Sequence, residues 1–175
     1  MRTLVTLCVL LAVPAVAAPK RVTCDTTDGS SPGRKVTIEF AEPEGAKFNA
    51  KACGFEFNAP NAIAMVNVIH QDDSGAEQLL NDKEDGAQKW VLRLSGGTIK
   101  PVATEKQKLV GEADAVVYRL VGEFHGAKDA EVLVARVKVG KHNVVFMSQY
   151  PANESAKIRP AVLQFFSSAT VKIAE

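Results

Sequence analysis

The chain has 175 residues, 46% of them hydrophobic, and 21 basic against 20 acidic side chains. That length suits one domain with a substantial core and is too short to assume two. With both charge signs interspersed and no basic stripe, the composition excludes a nucleic-acid binder that works by electrostatic attraction.

The first residues have the pattern of a secretory leader. Arg2 is the basic end, Leu4 to Val13 is an apolar stretch too short for an ordinary membrane span, and Ala15-Val16-Ala17 supplies the small residues of a peptidase site. Cleavage after Ala17 is expected, because a cut after Ala18 would leave Pro19 at a disfavoured first position. A retained anchor is the competing reading, and the shortness of the apolar run weighs against it. A lipid anchor on Cys24 is disfavoured by the polar approach Arg21-Val22-Thr23. The leader holds one basic and no acidic residue, so the mature chain is neutral and has no transmembrane segment.

Cys8 leaves with the leader, and the remaining pair, Cys24 and Cys53, is expected to form a disulfide in an oxidising compartment. Two free thiols are the alternative. Residues 18–34 are polar and rich in Gly, Ser, Thr and Asp, and Ser30-Ser31-Pro32-Gly33 is a strong turn signal. They read as a flexible arm, with one α+β domain from 35 to 175. Lys35 to Phe40 alternates as a strand, Phe55 and Phe57 share a face around Glu56, and Ala64 to His70 is apolar on both sides, as in a central strand.

Ser74 with Glu77 three residues later forms a capping box, the clearest helix start in the chain. From there Ala76, Leu79, Leu80, Lys83, Ala87, Trp90, Val91 and Leu94 recur at helical spacing, Gly86 marks a bend or break, and Gly96-Gly97 supplies the stop. Thr98 to Thr104 and Lys106 to Gly111 read as an edge hairpin, since Pro101 and the lysines Lys100, Lys106 and Lys108 suit an exposed strand.

From Ala115 to Pro151 three β-forming runs follow one another as a meander. Val116, Tyr118, Leu120 and Phe124 share one face of the first run; Val132 to Val139 is the second; Val144, Phe146 and Tyr150 alternate in the third. Gly140-Lys141 suits a two-residue type II′ turn. The apolar face of the meander needs a cover, for which the helical patterns before and after it are the candidates. After Tyr150-Pro151, Asn153 is placed to cap a last helix carrying Ile158, Val162, Phe165, Phe166 and Ala169 on one side. Pro160 makes its first turns irregular or moves its start to near Arg159.

This layout, with the closing stretch VVFMSQYPANESAKIRPAVLQFFSSATVK from Val144 to Lys172, resembles the PsbP-like superfamily. That group includes the extrinsic photosystem II subunit of plants and cyanobacteria, a Ran-binding nuclear import factor, and bacterial exported proteins of unknown role. The resemblance spans most of residues 35–174 in layout and is specific only near the end. It implies an antiparallel sheet between helices, an α/β/α sandwich, and a binding or accessory role rather than catalysis. No photosystem-contacting or Ran-contacting motif is present to carry over.

His70, Asp72 and Asp73, joined by Glu123 and His125, are the best metal candidates, although a convincing site needs three or four ligands that converge. The plainer reading sets Asp72 and Asp73 as loop acids at the positive end of a helix, so no metal or other cofactor is assigned. Ser30, Ser31, Ser95, Ser167 and Ser168 lie outside any G-x-S-x-G elbow, neither cysteine has an activating neighbour in sequence, and Gly96-Gly97 lacks the other features of a phosphate loop. No catalytic residue is assigned. Trp90 and Tyr118 fit a ligand pocket or partner surface or, better, core packing. Asn153-Glu154-Ser155 matches a glycosylation acceptor, which the bacterial style of the leader disfavours. The sequence therefore reads as a secreted or periplasmic, non-enzymatic protein that binds a protein or small-molecule partner in the envelope, or serves as a structural accessory of an envelope complex. A metal-dependent enzyme built on His70, Asp72 and Asp73 is the alternative.

Overall fold

The structure is a computed structural model and describes residues 20–28, 31–70, 84–95 and 97–174. Five strands come first: β1 (Arg21–Asp28), β2 (Ser31–Ala41), β3 (Ala46–Asn49), β4 (Gly54–Phe57) and β5 (Ile63–His70). Then follow helix α1 (Glu84–Ser95), strands β6 (Ile99–Leu109), β7 (Ala113–Phe124), β8 (Ala127–Val139) and β9 (His142–Pro151), a 3-10 turn (Ala152–Glu154), helix α2 (Ser155–Ser168) and strand β10 (Thr170–Ile173). They form two antiparallel sheets, one of seven strands in the order β3-β4-β5-β9-β8-β7-β6 and one of three in the order β1-β2-β10.

Both faces of the meander are apolar, so it needs two covers. Tyr118, Leu120, Val132, Val134, Val145 and Met147 point to α1, where Ala87, Trp90 and Val91 meet them. The opposite face, with Val117, Leu133, Ala135, Val144 and Phe146, packs on α2 and the small sheet through Ile158, Val162, Phe165, Val36 and Ile38. Phe165 is the hinge of that second core: its ring stands edge-on to Phe40 at 4.9 Å and to Phe55 at 5.3 Å, so one helix side chain grips both sheets. The α+β fold with helices on opposite faces of a central sheet is thus present, but the single sheet sealed on one side is not.

Several local expectations are corrected. Arg21–Asp28, placed in a flexible arm by composition, is a strand paired with β2 from Arg21↔Ala41 to Thr27↔Lys35. The polar threonines hide its alternation, in which Val22 and Cys24 turn inward while Arg21, Thr23 and Asp25 face solvent. The turn signal at Pro32-Gly33 survives only as a register shift where the two strands meet. Within residues 98–111 there is one edge strand, β6 (Ile99–Leu109), not a hairpin. The register passes from Pro101↔Leu120 to Ala103↔Arg119, so Val102 bulges outward at 51% exposure and the proline sits where no ladder bond is required.

Asn153 does not cap the last helix; it lies inside the 3-10 turn, and neither that turn nor α2 has a side-chain cap hydrogen bond. Pro160 sits well within α2, past its first turn, its ring on the exposed side. The capping box at Ser74 and Glu77 lies outside the described residues. In the described part of α1, Gly86 is accommodated without a break, while Leu94, assigned to the apolar face, is 48% exposed. β5 buries Ala64, Val66 and Val68 on one side, while on the other Met65 is half-buried against the α1 core and Asn67 is exposed. The β8–β9 turn has Gly140 at φ +59°, as a type II′ turn requires at its first central position.

Cys24 and Cys53 are disulfide-bonded, with Cα atoms 5.5 Å apart and both residues buried. Cys24 lies on β1 and Cys53 just before β4, so the bridge joins the small sheet to the large one. Changing both to alanine is expected to lower stability by about 3 kcal/mol, the loop-entropy contribution for a closure of this size. Urea unfolding of the oxidised protein measures it, and a midpoint unmoved in the double variant would show that the bridge contributes nothing.

Candidate functional site: the strand-end groove and the buried Glu131 cluster

A concavity lies where the meander strands stop unevenly. β9 runs between β5 and β8, but β5 begins at Ile63, opposite Gln149, while β8 continues past Ala130, opposite Pro151. The uneven ends leave a groove of about 530 Å³. Pro60 and Asn61 form one wall, Ala127 to Ala130 the other, Gln149 to Pro151 the floor, and Ala152 and Asn153 the end. Most of its surface is apolar, although Asn61 and Asn153 also line it beside Gln149, Tyr150 and the charged rim. Its polar groups are engaged or peripheral: Gln149 Nε2 donates to the Asn61 carbonyl at 3.1 Å, and Lys128 and Asp129 are exposed at the rim.

Behind the floor lies a buried ionic cluster. Glu131 sits on β8 among Val132, Leu133 and Val134 and is 3% exposed. Such a carboxylate is tolerated only if its oxygens are hydrogen-bonded and its charge is matched. Tyr150, directly opposite on β9, donates its hydroxyl to Oε1 at 2.7 Å, and Ser155, the first residue of α2, donates at 3.0 Å. One turn along α2, Arg159 donates Nε to Oε1 at 2.8 Å and Nη2 to Oε2 at 2.9 Å, a bidentate pair. Arg159 Nη2 also reaches Ser155 Oγ. Arg119 on β7 brings its Nε to 3.9 Å from Oε2, an ion pair beyond hydrogen-bonding distance.

Burial by itself raises the Glu131 pKa, but the hydrogen bonds from Arg159, Tyr150 and Ser155 and the charge of Arg159 outweigh it, so the carboxyl titrates below the usual range. Burial and the neighbouring Glu131 push the Tyr150 hydroxyl well above its usual value. Hydrogen bonding to Glu131 raises Arg159, against the opposing effect of burial. Three strands and a helix therefore meet at one carboxylate that is ionised at neutral pH.

The residues singled out from sequence are not gathered here. His70 ends β5 opposite His142, but its side chain, Asp72 and Asp73 lie outside the described residues. Glu123 and His125 are exposed, and His125 occupies the tight β7–β8 turn at φ +48° with its ring stacked on Phe124 at 4.4 Å. Among the described residues no three His, Cys, Asp or Glu side chains are grouped as metal ligands, and no helix is long and apolar enough to cross a membrane. Ser167 and Ser168 donate to the backbone of their own helix, and Ser168 Oγ also accepts the Ala41 amide, which ties α2 to β2. Trp90, on α1, and Tyr118, on β7, are core residues of the same cluster.

No protein-family model matches the chain, and no curated protein matches it in sequence. Solved structures do. The solution structure of cyanobacterial PsbP from Synechocystis sp. PCC 6803 superposes with a TM-score of 0.58 at 12% identity, covering 93% of this chain and 99% of that one. The fold is PsbP-like. LpqN, described as involved in cell envelope biogenesis of Mycobacterium tuberculosis, aligns with a TM-score of 0.50 at 13% identity, covering 87% of this chain and 91% of LpqN. Within this PsbP-like frame, the sequence reading missed the Glu131 cluster. Its available signal was a carboxylate interrupting the apolar run of β8 at a position facing the last helix.

Proposed function

We propose that this chain is an exported, non-enzymatic binding or accessory protein of the cell envelope, and that the strand-end groove receives its partner. The observation that carries the proposal is the chemistry of the lining: a mostly apolar surface, with the Gln149 amide and the Tyr150 hydroxyl already committed to partners within the fold. Such a lining supplies shape and desolvated contact, the requirements of recognition, and leaves neither of these groups free to move a proton. The Cys24–Cys53 bridge supports an oxidising compartment, as does the leader pattern of residues 1–17, and the envelope role in the description of LpqN agrees with both.

Filling the groove tests the proposal. Ala152→Trp is expected to weaken partner retention at least about tenfold, since a bulky side chain placed in a contact pocket removes the central contacts. Native mass spectrometry of the protein released from its own membranes reads bound protein or small molecule directly. Equal retention by wild type and variant, with the variant folded, would rule the groove out.

A further inference from the structure

Glu131 hydrogen-bonds only one of the two arginines that face it. An ionised carboxylate offers about four lone-pair sites. Here Tyr150, Ser155 and Arg159 already direct four donors to them, three on Oε1 and one on Oε2. Arg119 is left at ion-pair range, with its Nε buried and without a hydrogen-bond partner. No other hydrogen bond or ion pair holds its guanidinium among the described residues, and Nη1 of Arg159 is likewise unspent. Glu105, diagonal to Arg119 across the β6–β7 ladder, makes no ion pair with it. Two guanidinium groups against one carboxylate leave an uncompensated positive charge, and the N-terminus of the 14-residue helix α2 adds to the positive field there. The Arg119 and Arg159 side chains are 28% and 27% exposed, so apart from the buried Arg119 Nε the guanidinium groups are open to a solute.

We propose that Arg119 and the free edge of Arg159 form a receptor for one oxyanion group, a carboxylate or a phosphate, held between β7 and the start of α2. Glu131 acts as the internal counter-ion that orients Arg159 and leaves Arg119 available. Planar guanidinium donors suit such groups in a two-point geometry that a lysine cannot reproduce. The site lies on the β7 side of Glu131, whereas the groove lies on the β9 side, so the proposal does not depend on what the groove binds.

The experiment follows the Arg159 Nε–Hε resonance, which wild type and the Arg119 variants share, during titration of the folded protein with inorganic phosphate and with acetate, at constant ionic strength set by chloride. A saturable shift with a Kd on the order of 1 mM is expected for at least one of them. It should weaken about tenfold in Arg119→Lys and vanish in Arg119→Gln while the thermal midpoint stays near that of wild type. A parallel sedimentation with vesicles containing an anionic phospholipid separates the sources: Arg119-dependent pelleting identifies a headgroup, and saturable phosphate or acetate binding without pelleting identifies a soluble ligand. No saturable shift, a shift that chloride alone reproduces, or an undiminished response in Arg119→Gln would overturn the proposal.

Discussion

Gly122→Ala will cost more than about 4 kcal/mol, enough to leave a domain of this size largely unfolded. The residue has φ +151°, and a Cβ built on it meets the Thr98 carbonyl oxygen at 2.0 Å and Ile99 Cα at 2.9 Å. These are backbone atoms at the start of β6, so no side-chain rotation relieves the clash. Across the same junction Gly97 is equally tight, its Cβ position lying 1.9 Å from the Glu123 carbonyl. The pair of glycines lets the start of β6 lie directly against β7, where Glu123 donates its amide to Thr98 at 3.2 Å. Gly140→Ala is the internal control, because its φ is also positive but nothing lies within 4 Å of the added carbon. That substitution should cost only about 1 kcal/mol, the ordinary penalty for a left-handed residue. Urea midpoints of the two variants give the comparison, and equal losses would refute the steric argument.

Arg159→Ala will destabilise by about 3 kcal/mol at neutral pH, because it strands an ionised carboxylate under a sheet and a helix. The figure sits at the low end for broken buried pairs, since the arginine is itself partly exposed. Glu131 has a folded-state pKa below its unfolded value. Its stabilising contribution is therefore complete above the ordinary glutamate range near pH 4.3 and is lost as pH falls through the folded value. Tyr150 works in the opposite direction: its pKa is raised, so its contribution is complete below about pH 10 and is lost as pH rises beyond that. Wild type should thus lose stability at both extremes, and Glu131→Gln should flatten the acid limb. In Arg159→Ala the penalty should shrink under acid conditions, where the carboxyl can take up a proton. Chemical denaturation across the pH range supplies the curves, and a penalty independent of pH would mean that the arginine acts by packing alone.

The sequence made the meander legible because period-two alternation and two tight turns are local signals, and Gly140 sits where the turn geometry demands it. The Phe165 and Phe166 face of the last helix was legible for the same reason. β1 was obscured because Thr23, Thr26 and Thr27 give it the composition of a loop, while its partner strand opens with a turn-like Ser-Pro-Gly. The bulge at Val102 could not be read locally either, since a two-against-one mismatch exists only relative to β7. Least legible was the Glu131 cluster. Tyr150, Ser155 and Arg159 stand 19, 24 and 28 residues from the carboxylate, and only the return of the chain through β9 and the 3-10 turn brings them together.

The small sheet has a mechanical consequence. β1 and β10 both run antiparallel to β2, flanking it on either side, so they run parallel to each other. Tension applied at Lys20 and at Ala174 pulls β1 from its beginning and β10 from its end, which loads the ladders lengthwise rather than peeling them open. Beyond Cys24 the covalent bridge diverts the load into the larger sheet. Under stretching the molecule should therefore yield late and abruptly, with its rate of forced opening set by the whole set of β2 bonds breaking together.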